Sequence, residues 1–215
     1  MMTLSEKAQN IYAQINQEGT KLGDLRKIAK EIKKDHALAK ELWGTGKFLP
    51  RLLAILIMDK KELHPDFIDQ LFNDMQAHGY DERTQLADWL MANQLTKDKK
   101  TIALIESWEN SPSAIKRRIF WYYQGRLRWV GQTPPANTPS LVPAIEERIL
   151  VEEPEVQWAM NFTAGWIGVF DQNYRNQCIR IGEETGLYKD EFVHKGCTPN
   201  YLPLFIKIEA GKRNL

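Results

Sequence analysis

Apolar residues along the chain recur at intervals of three and four. Leu4, Ala8, Ile11, Tyr12 and Ile15 form one set, and Leu25, Ile28, Ala29 and Ile32 the next, the spacing that gathers side chains on one face of a helix. The same pattern predicts further helices beginning near Ala37, Leu49, Pro65, Glu82, Lys99, Pro112, Ser140, Pro154 and Gln172, with short connections carrying Gly, Pro, Asn or Asp. Strand-like alternation is almost absent. Short connections force neighbouring helices to pack antiparallel, so the expected fold is all-α, built of helical hairpins.

Prolines at 65, 112 and 154, each expected to open a helix, lie 47 and 42 residues apart, within the ~40–47 residue period of HEAT-type repeats. Proline suits a first helical turn because its missing donor would be unpaired there anyway. Hairpins stacked with that period form a HEAT-like α-α superhelix with a concave face, although an all-helical chain without repeats could space three prolines the same way. A length of 215 residues, 43% of them hydrophobic, supports one well-buried core without a linker. The expectation is a single all-helical repeat domain over residues 1–215. Its last stretch, about 187–215, is rich in turn formers and reads as an irregular cap, with Tyr188, Tyr201, Leu204 and Phe205 covering the final repeat.

The acids and bases nearly balance, for a net charge of +1, which excludes a polycationic protein and leaves any nucleic-acid affinity to local placement of charge. One stretch stands out. Between Asn110 and Ile145 there is no Asp or Glu, while Lys116, Arg117, Arg118, Arg126 and Arg128 interleave with Phe120, Trp121, Tyr122, Tyr123 and Trp129. Cations beside flat rings suit a polyanion that carries bases. On a helix, Phe120, Tyr123, Leu127 and Val130 form a stripe expected to be buried, and Arg117, Trp121, Gln124 and Arg128 an adjoining polar stripe. Arg117 and Arg128 are therefore the first candidates for phosphates, with Lys116 and Arg118 behind them. The alternative is a solvated helix whose arginines lie over rings or pair with distant carboxylates.

Other chemistry is excluded or weak. Apolar runs such as residues 52–58 fall far short of the ~20 residues of a membrane span, and the amino terminus lacks a basic-then-apolar signal pattern. A cytoplasmic protein with free thiols at Cys178 and Cys197 is expected. His194 and Cys197, with Cys178 upstream, do not make the four ligands of a structural zinc site. Phosphate loops, nucleophile elbows and metalloprotease motifs are absent, so neither a metal nor a cofactor is expected.

Three groups of residues carry a resemblance. Gly23-Asp-Leu-Arg-Lys-Ile-Ala-Lys-Glu-Ile32, Ala39-Lys-Glu-Leu-Trp-Gly-Thr-Gly46 and Arg51-Leu-Leu-Ala-Ile-Leu-Ile57 resemble the opening of the bacterial AlkD-like DNA alkylation repair family. Ala114-Ile-Lys-Arg-Arg-Ile-Phe120 resembles its apolar, basic, Arg, apolar pattern, and Val156-Gln-Trp-Ala-Met-Asn-Phe162 its late helix ending in a pocket aromatic. The resemblance implies a HEAT-like superhelix gripping duplex DNA on a basic concave face and, in active members, excision of N3- or N7-alkylated purines by glycosidic-bond hydrolysis. An alkylated purine is cationic and already a good leaving group, so one carboxylate can both stabilise an oxocarbenium-like sugar and place a water. Rings can hold the cationic base.

By that resemblance the carboxylate is Asp88, the phosphate-holding arginine Arg117 and the pocket ring Phe162, with Trp89 and Trp166 as further candidate rings and Arg51 as a further DNA contact. On a helix from about 82 to 94, Thr84, Asp88 and Met91 share a stripe apart from Leu86, Trp89 and Leu90, which would let Asp88 face the groove. The chain departs from the family at Thr84, where active members place a Trp, at Phe162, where they place a Trp, and at Gly165, where an Arg usually follows. Three functions remain open. One is an N-alkylpurine DNA glycosylase using Asp88, one a noncatalytic binder of damaged or branched DNA, and one a helical-repeat scaffold for a protein partner. The expected partner is double-stranded DNA, bound by a monomer.

Overall fold

Ser5 opens the first helix by accepting a hydrogen bond from the Ala8 amide, which satisfies one of the donors a helix start leaves unpaired. The computed structural model describes residues 4–17 and 19–215, and among them all regular structure is helical. The helices are α1 (Glu6–Ile15), α2 (Leu22–Ile32), α3 (His36–Gly44), α4 (Phe48–Ile57), α5 (Pro65–Met75), α6 (Tyr80–Asn93), α7 (Lys99–Glu106), α8 (Ala114–Trp129), α9 (Thr138–Arg148), α10 (Pro154–Phe170), α11 (Gln172–Thr185) and α12 (Leu202–Gly211), with short 3-10 turns at Lys60–Glu62 and Leu95–Lys97. None is long and apolar enough to cross a membrane among the described residues.

Two compact units divide the chain, Met1–Glu106 and Ser107–Leu215. In the first, α4 is the central element. Leu52, Leu53, Ala54, Ile55 and Ile57 are all fully buried, because α2, α3 and α6 cover it on several sides. That is why its sequence is an unbroken apolar run instead of an amphipathic stripe.

In the second unit α10 is central and packs against α8, α9, α11 and α12. Its contact with α8 depends on Gly125, where a Cβ would stand 2.6 Å from Phe162 Cδ1 and 3.0 Å from the Thr163 Cα. With only a hydrogen at that point the two backbones approach closely, and Thr163 Oγ1 donates across the gap to the Trp121 carbonyl at 2.5 Å.

Two expectations change here. Pro65 and Pro154 do occupy first turns, but α8 starts at Ala114 with Ser113 as its N-cap, so Pro112 lies outside the helix and the three-proline period does not mark three helix starts. The C-terminal stretch is not irregular throughout, because α12 forms within it. Leu202, Ile206 and Ala210 are buried at intervals of four, and Pro203, which looks like a helix breaker, is tolerated in the first turn. The helix docks where side chains are missing: a Cβ on Gly165 would meet Phe205, one on Gly168 Ile206, and one on Gly182 Leu202 and Pro203. Leu204, expected to cover the last repeat, points outward and is exposed.

Candidate nucleic-acid interface

In the first unit, Asp88 lies in the middle of α6 and is half-buried. The stripe it shares with Thr84 and Met91 is not a uniform surface, because Met91 at its far end is fully buried. Thr84 turns its hydroxyl back onto its own helix, donating to the Tyr80 carbonyl at 3.0 Å and the Asp81 carbonyl at 3.1 Å. Trp89 donates its indole N–H to the Leu52 carbonyl at 3.1 Å and lies under the Arg26 guanidinium, 4.5 Å from its ring centroid. It therefore ties α6 to α4 and α2.

Arg51 is buried. Its Nη1 donates to the Asp74 carbonyl at 2.7 Å and its Nε to the Trp43 carbonyl at 3.3 Å, with the guanidinium 4.8 Å above the Trp43 ring. Burial lowers its pKa, and Asp74 opposes that shift. These contacts tie Arg51 to α3 and to the end of α5.

The arginines of α8 divide in the same way. Arg117 donates from Nε to Glu152 at 3.0 Å, from Nη1 to the Ser111 carbonyl at 2.7 Å and from Nη2 to Glu153. Burial works against its charge, but the two carboxylates outweigh it and raise the Arg117 pKa. Glu152 also accepts from Arg148 at 2.7 Å, so a network of charges clamps the start of α10. Arg118 is buried, donating to the Glu155 carbonyl at 2.8 Å with its guanidinium 4.8 Å from the Trp158 ring. Arg128 is buried as well, donating to the Gln124 carbonyl at 2.8 Å and to Thr138 Oγ1 at 2.9 Å. Burial pushes its pKa down, with Asp171 partly offsetting this.

The polar stripe expected along Arg117, Trp121, Gln124 and Arg128 is thus a buried one, since Trp121 is fully buried and Gln124 nearly so. The physical reason is that α10 packs against α8 while Thr138 and Asn137 hydrogen-bond Arg128 and Gln124. Val130, expected in the buried stripe, follows the helix end and is exposed. The less buried stripe of α8 runs through Tyr122, Arg126 and Trp129, at the helical spacing of four and three. Lys116, also half-buried, lies 5.6 Å from the Trp108 ring centroid.

That stripe meets a row of rings on α10. Trp158, Phe162, Trp166 and Phe170 follow one another at intervals of four, which places them along one helix face. Phe162 stacks on Trp158, with centroids 5.3 Å apart and planes 16° from parallel, and is flanked by Tyr122 and Trp129. Trp166 is buried and lies between Trp129 at 6.4 Å and Phe170 at 5.8 Å, both near-parallel to it. The regular spacing lies in the sequence; what it does not signal is that α8 adds Trp129 and Arg126, and the turn after α12 adds Arg213, to the same row.

Exposed positive charge gathers elsewhere in the first unit. Lys60, Lys61 and Lys100 line a cleft of about 590 Å³ together with His64, Pro65, Thr101 and one carboxylate, Asp98. Lys97 and Lys99 are exposed beside it. Lys97, Lys99 and Lys100 belong to one short charged run of the sequence. No group of His, Cys, Asp and Glu able to hold a metal occurs among the described residues.

A family model described as DNA alkylation repair enzyme matches residues 5–173. A solved structure from a family described as related to the HEAT-like repeat DNA glycosylases, with affinity for branched DNA structures, is similar to 98% of this chain and 90% of its own, at 19% sequence identity and a TM-score of 0.68. The fold is accordingly HEAT-like and all-helical. No protein with a curated description matches the chain.

Proposed function

Because the chain belongs to the DNA alkylation repair enzyme family, we propose that it binds branched or damaged DNA and recognises the structure of that DNA without excising a base. The observation that carries this reading is the fit of Phe205 against Gly165. The excising members resembled by this chain place an arginine at that position, and here α12 fills the space such a side chain would need. Thr84 points the same way. It stands where those members place a stacking ring, and its hydroxyl is bonded to its own helix. The affinity of the similar solved structure for branched DNA supports the choice of ligand.

Phosphates are held in this reading by the exposed Lys60, Lys61 and Lys100 of the first unit, with the half-buried Lys116 and Arg126 of the second. Arg51, Arg118 and Arg128 act indirectly, by fixing helices in place, and Arg117 by clamping the start of α10. Each cation that neutralises a phosphate contributes close to one unit to the salt dependence of binding.

The test is a gel shift on paired duplex and on a four-way junction at two salt concentrations, run beside incubation with methylated duplex and detection of released base. Salt-sensitive binding with no released base is expected. Release of methylated purine that Asp88→Asn abolishes would instead make the protein a glycosylase, a reading favoured by the half-buried carboxylate of Asp88 on α6. Absence of binding to any DNA would overturn both.

A further inference from the structure

The row of rings in the second unit continues well past Phe162. Trp129, Trp166 and Phe170 form a near-parallel set, with Trp166 inclined 25° to Trp129 and 22° to Phe170. The outer two rings are 44% and 43% exposed, a large amount for aromatic side chains that have apolar neighbours within reach. Guanidinium groups accompany them. Arg126 lies 5.5 Å from the Trp129 centroid, and Arg213 of the C-terminal segment lies 4.8 Å from Trp166 and 5.9 Å from Phe170.

Core rings do not explain this arrangement, because Trp129 and Phe170 at its two ends are each more than two-fifths exposed. A dry protein interface does not fit it either, since burying Arg126 against an apolar partner would strand its charge. Exposed parallel rings interleaved with arginines match the chemistry of an unpaired nucleotide, whose base stacks on a ring while its phosphate meets a guanidinium. Arg213 is also paired with Glu209 at 2.6 Å, so Arg126 is the stronger phosphate contact of the two.

Resting on the reading that this protein binds branched DNA, we infer that Trp129 and Phe170 are stacking platforms for unpaired bases, and that the protein selects DNA carrying a single-stranded arm over fully paired duplex. The rings receive bases without hydrogen-bond readout, so the selection is for unpaired structure and not for sequence.

The test uses the full chain with two probes, a paired duplex and a forked duplex carrying an unpaired oligothymidine arm. The wild type should bind the fork more tightly than the duplex, with tryptophan fluorescence quenched by the fork. Trp129→Ala and Phe170→Ala should each weaken fork binding about tenfold and leave duplex affinity unchanged, while Trp129→Phe, which keeps a ring, should retain most of the fork preference. Both positions are exposed, so unchanged thermal unfolding confirms that the fold is intact. Equal weakening on both probes, or an unchanged preference for the fork, would overturn the inference while leaving DNA binding in place. Loss of self-association in Trp129→Ala, seen by sedimentation with no change on the fork, would assign the rings to a second copy of the chain and also overturn it. Failure of the wild type to bind either probe would defeat the underlying reading as well.

Discussion

A Cβ added to Gly165 would stand 2.8 Å from both Cδ1 and Cε1 of Phe205. The ring fills the space over that position, and forcing a side chain into a filled site costs about 1–3 kcal/mol. Gly165→Arg should therefore lower the unfolding free energy measured in urea by an amount in that range and bring no base-excision activity with it. Combining it with Phe205→Ala, which vacates the space, should recover part of the loss. A Gly165→Arg protein as stable as its parent would show that α12 does not depend on this contact.

Arg117 predicts a separation of stability from binding. Its guanidinium is only 12% exposed and Glu152 only 7%, so removing the arginine leaves a largely buried carboxylate with Arg148 as its remaining partner. Arg117→Ala should lose about 2 kcal/mol of stability and leave the salt slope of DNA binding unchanged. Replacing Lys60 and Lys61 by Gln should do the reverse, with little effect on unfolding and a slope reduced by about two units.

Strong acid should loosen the C-terminal segment. Burial alone would raise the Glu209 carboxyl, but hydrogen bonds from Lys212, Thr198 and Arg213 overcome it and hold the pKa down to about 2, from an ordinary value of 4.5. A depressed folded value means that the stabilisation is fully present above 4.5 and is lost as pH falls toward 2. Melting curves across that interval should show wild type losing stability that Glu209→Gln lacks from the start. If the two proteins fall in parallel, Glu209 is not the group responsible.

The thiols should differ sharply in reactivity. Cys178 is fully buried, and burial pushes its pKa up to about 12, while Cys197 is exposed. Only the thiolate attacks a disulfide reagent. One equivalent should react promptly in the native protein and a second only after denaturation. Two fast equivalents would mean that α11 opens readily at Cys178.

Much of the helical framework was legible from spacing alone. The starts of α5, α7, α10 and α11 fall at the expected residues, and the apolar run in α4 marks an element covered on several sides. Periodicity states that a helix has an apolar face. It does not state how many neighbours that helix will have. For α8 this difference decided the outcome, because Arg128 reads as a surface cation by position and becomes a buried one through the Thr138 hydroxyl and the Gln124 carbonyl.

The sequence by itself determined the all-helical class and the family, since each depends on residues close together along the chain or on local motifs in order. Tertiary structure decided which charges reach solvent and which space is filled. Arg117 meets Glu152 from 35 residues away, and Phe205 closes over Gly165 from a segment whose own helix is masked by turn-forming residues. A side chain's charge is a property of its residue, but its availability depends on the acceptors and rings that packing brings to it from elsewhere in the chain.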